Sequence, residues 1–139
     1  MRAGGSPSTL EAAYPLRESI PAGRWDLIGD GLLLGNGVSK MRVRFEVRVR
    51  KALASDDSAD QILFAVENVF VRDAANPLQA VTFQTQVDGL AGEAESGDKL
   101  VLRFTGLAAD SDIGAMYIPN ADGALRGGRI PRVQLPQVP

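Results

Sequence analysis

The chain contains no cysteine and no histidine. Thiol chemistry, nucleophilic triads that depend on an imidazole base, and most zinc sites draw on those side chains and are thereby excluded. A protein without cysteine fits an oxidising or a reducing compartment equally well. Neither sign of charge dominates, with 15 basic against 17 acidic residues and a formal net charge of −2, so no global field calls for nucleic acid as a partner. No stretch approaches the ~18 uninterrupted apolar residues of a membrane span. Aromatic rings are scarce, with one tryptophan and two tyrosines, which leaves few platforms for stacking bases or sugars.

What is present suffices for one folded domain: 139 residues, of which 45% are hydrophobic. Residues 1–20 read as a flexible N-terminal segment. Ser8 and Glu11 have capping-box spacing within it, which predicts a short helical turn closed by Pro15. The run Ala3-Gly4-Gly5-Ser6-Pro7-Ser8 has the composition of a tether, which fits an extracytoplasmic protein whose leader has been removed and equally a plain flexible terminus. Residues 21–129 form the expected single β domain. Residues 130–139, with three prolines, read as an extended tail or edge strand that packs on the domain or reaches a neighbour.

The β reading rests on short apolar runs separated by turn residues. Gly29-Asp30-Gly31 and Gly35-Asn36-Gly37 predict tight turns on either side of Leu32-Leu33-Leu34. Residues 41–50 alternate strictly: Met41, Val43, Phe45, Val47 and Val49 face one side, and Arg42, Arg44, Glu46, Arg48 and Arg50 the other. Residues 62–71 differ, because simple alternation places Ile62, Phe64, Val66 and Phe70 on one face and Leu63, Ala65, Val69 and Val71 on the other. Both faces are apolar, as in a strand at the centre of a sandwich or under an oligomer contact. Further strands are predicted at 81–87, 100–105 and 113–118. The fold class is therefore all-β, an antiparallel sandwich of jelly-roll or immunoglobulin-like type, with a small closed barrel as the alternative. Its predicted core is Met41, Val43, Phe45, Val47, Phe64, Val66, Val81, Phe83, Leu102 and Phe104.

Four groups of residues are candidates for function. Arg42, Arg44, Arg48 and Arg50, with Lys40 and Lys51 at the ends, form a cationic ladder with about 6.8 Å between same-face residues, a spacing that suits an anionic polymer or phospholipid surface. The plain alternative is a solvated face whose arginines pair with carboxylates on neighbouring strands. Asp56, Asp57 and Asp60 in one connection, and Asp110 and Asp112 in another with Asn120 and Asp122 nearby in sequence, offer hard oxygen ligands for calcium, or simply form turns. Glu67 interrupts the most apolar strand, either as an acid–base group in a pocket or as a structural partner of an arginine such as Arg103 or Arg72. Thr82, Gln84 and Gln86 form an outward polar row that suits sugar hydroxyls or plain water.

Gly23-Arg24-Trp25 is similar to the opening triplet of lipocalin-like barrels. That resemblance implies a small apolar ligand, with Trp25 closing the barrel and Arg103 covering its ring. Together with Glu67, these residues would line a binding site. Catalysis by carboxylates alone remains open, since two suffice for glycoside chemistry. No pair of acids stands apart from the loop aspartates, so the sequence favours a non-catalytic binding or structural module that acts through its surface and by self-association. A protein partner or homo-oligomer is the leading expectation, a lipocalin-like carrier or barrel enzyme and a glycan-binding adhesion module are the alternatives, and no cofactor is expected beyond the calcium candidate.

Overall fold

The structure, a computed structural model, describes residues 9–34, 40–72, 81–109, 115–117 and 132–134. These hold eight strands: β1 (Thr9–Pro15), β2 (Gly23–Leu34), β3 (Lys40–Arg50), β4 (Gln61–Val71), β5 (Val81–Gly89), β6 (Lys99–Ala109), β7 (Ala115–Tyr117) and β8 (Arg132–Gln134). All pairings are antiparallel. One sheet has the order β1-β6-β3-β4; the second has the order β5-β2-β7, with β8 also paired to β2. The fold is all-β and sandwich-like. The closed-barrel alternative does not form among the described residues, because the ladders end at β1 and β4 in one sheet and at β5 and β7 in the other.

β3 is the spine of the first sheet, hydrogen-bonded to β4 on one side and β6 on the other. Its alternation does what period two requires: Met41, Val43, Phe45, Val47 and Val49 are all buried. Phe45 lies directly opposite Phe104 on β6 and Val66 on β4. Its ring meets Phe104 edge-on at 5.0 Å between centroids and Phe70 at 6.0 Å, arrangements that suit the aromatic quadrupole. From the second sheet, Trp25 and Leu27 of β2 are buried against this layer, and Trp25 packs on Phe64 at 5.5 Å between centroids. Ile20, Phe70 and Leu100 complete the core. Of the predicted core, Val66 and Phe104 are partly buried, while the side chains of Val81 and Phe83 lie outside what is described.

Three sequence expectations are corrected. Thr9–Pro15 is strand β1, not a helical turn: seven consecutive residues pair with β6, and Glu11 is engaged by arginines across the sheet rather than by a helix N-terminus. Ser8 lies outside the described residues. Gly29-Asp30-Gly31 is no turn either; β2 runs through it, with these residues opposite Phe83, Thr82 and Val81. The second predicted turn, at Gly35-Asn36-Gly37, lies outside the described residues. In the C-terminal segment, Arg132–Gln134 pairs with Asp26, Leu27 and Ile28 of its own chain.

The third correction concerns β4. Val47 is opposite Phe64 but Arg48 is opposite Ile62, so Leu63 is an extra residue in the strand. This β-bulge turns Leu63 inward and Ile62 outward, reversing the alternation read from the sequence. Leu63 is 2% exposed and Ile62 is 43% exposed. β4 is the edge strand of its sheet, not a central one, and Ala65, Val69 and Val71 on its outer face are exposed as well.

Candidate functional site

The outer face of the first sheet carries most of the charge singled out in the sequence, and it divides into two halves. In the first half, the β3–β4 connection folds back over the sheet. Asp60 is engaged by Arg50 through two short hydrogen bonds, at 2.9 and 2.7 Å, and lies 3.5 Å from Arg48. Its side chain is only 1% exposed. Asp57 accepts from Arg103 at 2.6 Å, and Arg103 also donates to Glu11 on β1 at 2.6 Å. Glu11 in turn receives Arg50 at 3.3 and 3.4 Å. Beneath these pairs Arg48 donates to Glu46, and Val101 is fully buried although it belongs to the outer row of β6, opposite Arg48.

The alternating strand pattern places the arginines in a row, and neighbouring strands β1 and β6 bring Glu11 and Arg103 alongside. Burial pushes the Glu11 carboxyl up, but the hydrogen bonds from Arg50 and Arg103 outweigh it and hold Glu11 below the usual carboxylate range. The Arg103 hydrogen bond similarly lowers Asp57. Hydrogen bonding to Asp60, with that to Glu11, raises Arg50 further above its already high ordinary value. Arg48, Arg50 and Arg103 thus spend their charge on carboxylates of the same chain, as the plain reading of the ladder expects.

In the second half the face is open. Glu67 sits directly opposite Arg44, 3.3 Å from its guanidinium, and Arg42 approaches the same carboxylate at 3.9 Å. All three side chains are about half exposed. Ala65, Val69 and Val71 flank Glu67 along the outer face of β4, with Val69 58% and Val71 61% exposed, and Ile62 extends this apolar row to a place opposite Arg48. Val69 is paired with Arg42 and Val71 with Lys40, so apolar and cationic side chains lie side by side.

A separate cluster holds the loops at one end. The buried Asp98 carboxylate accepts from the backbone N–H groups of Glu95 (2.9 Å) and Ala52 (3.0 Å) and from Lys51 Nζ (3.1 Å). Hydrogen bonds from the Glu95 and Ala52 amides, then Lys51, keep its pKa below the ordinary value. Gly97, with φ of 99°, supplies the left-handed position of the adjoining turn.

The residues expected to line a ligand site are not brought together. Trp25 is in the interior, whereas Arg103 and Glu67 are on the outer face of the first sheet, and Arg103 covers carboxylates rather than the indole. Glu67 pairs with Arg44 and Arg42 instead of Arg103 or Arg72. Inside, Trp25 Nε1 and Asn68 Nδ2 have no hydrogen-bond partner among the described residues, while Asn68 Oδ1 accepts from Thr85 across the two sheets at 3.2 Å.

Of the calcium candidates, Asp57 and Asp60 face arginines, and Asp56 is held below its ordinary pKa by hydrogen bonds from the Ser58 hydroxyl and amide. Asp110, Asp112, Asn120 and Asp122 lie outside the described residues. Among the described residues no group of three or more acidic side chains stands in a metal-binding arrangement. Gln84 and Gln86 are exposed on β5, as expected of the polar row. Among the described residues no helix is long and apolar enough to cross a membrane. No protein-family model matches the chain, and no curated protein matches it.

Alternation places Ala65, Val69 and Val71 on one face but missed Ile62, which the bulge brings into the same exposed row. The only signal for it was the pair of apolar faces at 62–71, which fits an uncovered contact surface as well as a central strand.

Proposed function

We propose that this protein is a non-catalytic binding or structural β module that works through the outer face of its first sheet. The observation that carries the reading is the apolar row Ile62, Ala65, Val69 and Val71, exposed beside the half-exposed Arg42, Arg44 and Glu67. Exposed apolar side chains scattered singly need no explanation, but a row of them along one strand face, interrupted only by Glu67, is the composition of a contact surface. The closed ion-pair half of the same face supports the reading from the other direction. Its arginines are held by Glu11, Glu46, Asp57 and Asp60 and frame the open half without competing for a partner.

Native mass spectrometry of the protein and of a Val69→Thr/Val71→Thr variant tests this. A bound protein mass, either a second copy or another chain, that is lost in the variant is the expected result. A monomer carrying a few hundred daltons of small molecule, unaffected by the substitutions, would overturn the reading in favour of a carrier.

A further inference from the structure

Resting on that reading of the outer face, we infer that its occupant is a second copy of this chain, docked face to face through β3 and β4. Charge complementarity identifies the occupant. Arg44 and Glu67 are a directly opposed cross-strand pair, and both are about half exposed. A foreign acidic surface would satisfy the arginine and repel the glutamate; a foreign basic surface would do the reverse.

A two-fold axis parallel to the strands, midway between β3 and β4, satisfies both with the same residues. It sets β3 of one copy over β4 of the other. Arg44 of each copy then faces Glu67 of its partner, while Arg42 faces Val69 and Lys40 faces Val71, so the aliphatic stems of the basic side chains cover the exposed valines. The other opposite-charge pair in direct cross-strand register with neither member buried, Glu11 and Arg103, is 31% and 14% exposed and already tied to Arg50 and Asp57, while Glu46 and Asp60 are buried beneath their arginines.

The extent of the contact sets its strength. In this arrangement the 51–60 loops of both copies stand at the same end of the sheets, which confines contact to the open half of the face. Lys40, Arg42, Arg44, Ala65, Glu67, Val69 and Val71 are far fewer than the ~20–30 residues a side of a stable complex. The inference is therefore a weak, concentration-dependent monomer–dimer equilibrium, not an obligate dimer.

The test uses two single variants, Arg44→Glu and Glu67→Arg, with sedimentation equilibrium and native mass spectrometry on the full chain. An exposed pair contributes little to folding, so the thermal midpoints of both variants should stay near that of the unsubstituted protein, and this is measured first. Each variant alone places like charges across the two-fold twice, and its dimer dissociation constant should rise at least ~10-fold. Mixed in equal amounts, the two restore opposite charges at both positions, and a heterodimer should recover the association of the unsubstituted chain. An unsubstituted chain that stays monomeric into the millimolar range, or a mixture that associates no better than its components, overturns the inference. If another chain is retained and then lost in Val69→Thr/Val71→Thr, while no second copy is found, the outer-face reading stands and the self-association falls.

Discussion

Trp25 and Gly89 compete for one volume of the interior, and the indole holds it. A Cβ at position 89 would lie 2.6 Å from Trp25 Nε1, 2.9 Å from its Cδ1 and 3.3 Å from Phe64 Cδ1. The indole is fully buried and packed on Phe64, so it cannot swing aside into solvent. The glycine at the end of β5 is thus what lets the second sheet close on the first.

Gly89→Ala should accordingly destabilise the protein by about 1–3 kcal/mol, the usual cost of forcing atoms into a packed core. Chemical denaturation with tryptophan emission as the probe reads both stability and the indole environment. Unchanged stability and an unshifted emission maximum would mean that the ring does not occupy this position.

Asp60 gives a second prediction. Its carboxylate is enclosed beneath Arg48 and Arg50, so Asp60→Ala leaves two guanidinia partly desolvated with fewer partners. Breaking a buried pair from one side costs about 3–5 kcal/mol, and the lower end applies because Arg50 keeps Glu11 and Arg48 keeps Glu46. Urea denaturation measures it. A loss below ~1 kcal/mol would place the loop off the sheet in solution.

The pH dependence follows from four carboxyls held below their ordinary values: Glu11, Asp56, Asp57 and Asp98. A carboxyl depressed in the folded state stabilises the fold above its unfolded pKa of roughly 4, and that contribution is lost as pH falls through the lower folded value. The chain has no histidine, so stability should be nearly flat between about pH 7 and 5 and fall below about pH 4. Glu11, Asp56 and Asp57 are exposed at least in part and screened by salt, which leaves Asp98 as the group whose removal matters most. Asp98→Ala should lower the thermal midpoint at pH 7 by about 5 °C or more and flatten the acid limb. A midpoint as high at pH 3 as at pH 7 would contradict this account.

How much of this was legible in the sequence depends on whether the determining contact is local. The inner and outer rows of β3 follow from period two alone, and every inner side chain from Met41 to Val49 is buried as that period demands. Ser8 and Glu11 illustrate the opposite case. Their capping-box spacing is a weak local preference, overridden by a seven-residue ladder between β1 and β6, segments roughly 90 residues apart. The partners of Glu67 were illegible for the same reason: nothing local to Glu67 distinguishes Arg44 from Arg103 or Arg72, and only the β3–β4 register does. The arginine ladder was visible, but its division into a closed and an open half depends on where the 51–60 connection lies.

The bulge at Leu63 gives the most discriminating test, because strict alternation and the observed register predict opposite outcomes for adjacent residues. With uninterrupted alternation Ile62 would lie in the core beside Phe64, and Leu63 would face outward. In the structure Leu63 is buried; a Cβ on Gly92 would touch it at 3.1 Å and Val49 at 3.0 Å, so the leucine fills the end of the core against a glycine that leaves it room. Leu63→Ala should therefore cost about 2–5 kcal/mol, the transfer term plus the cavity left behind. Ile62→Ala removes a half-exposed side chain opposite Arg48 and should cost less than about 1 kcal/mol. Comparing the two by urea denaturation decides the register: a larger loss at Ile62 than at Leu63 would remove the bulge and restore plain alternation. Because the bulge is what puts Ile62 on the outer face, that outcome would also shorten the apolar row on which the proposed contact surface rests.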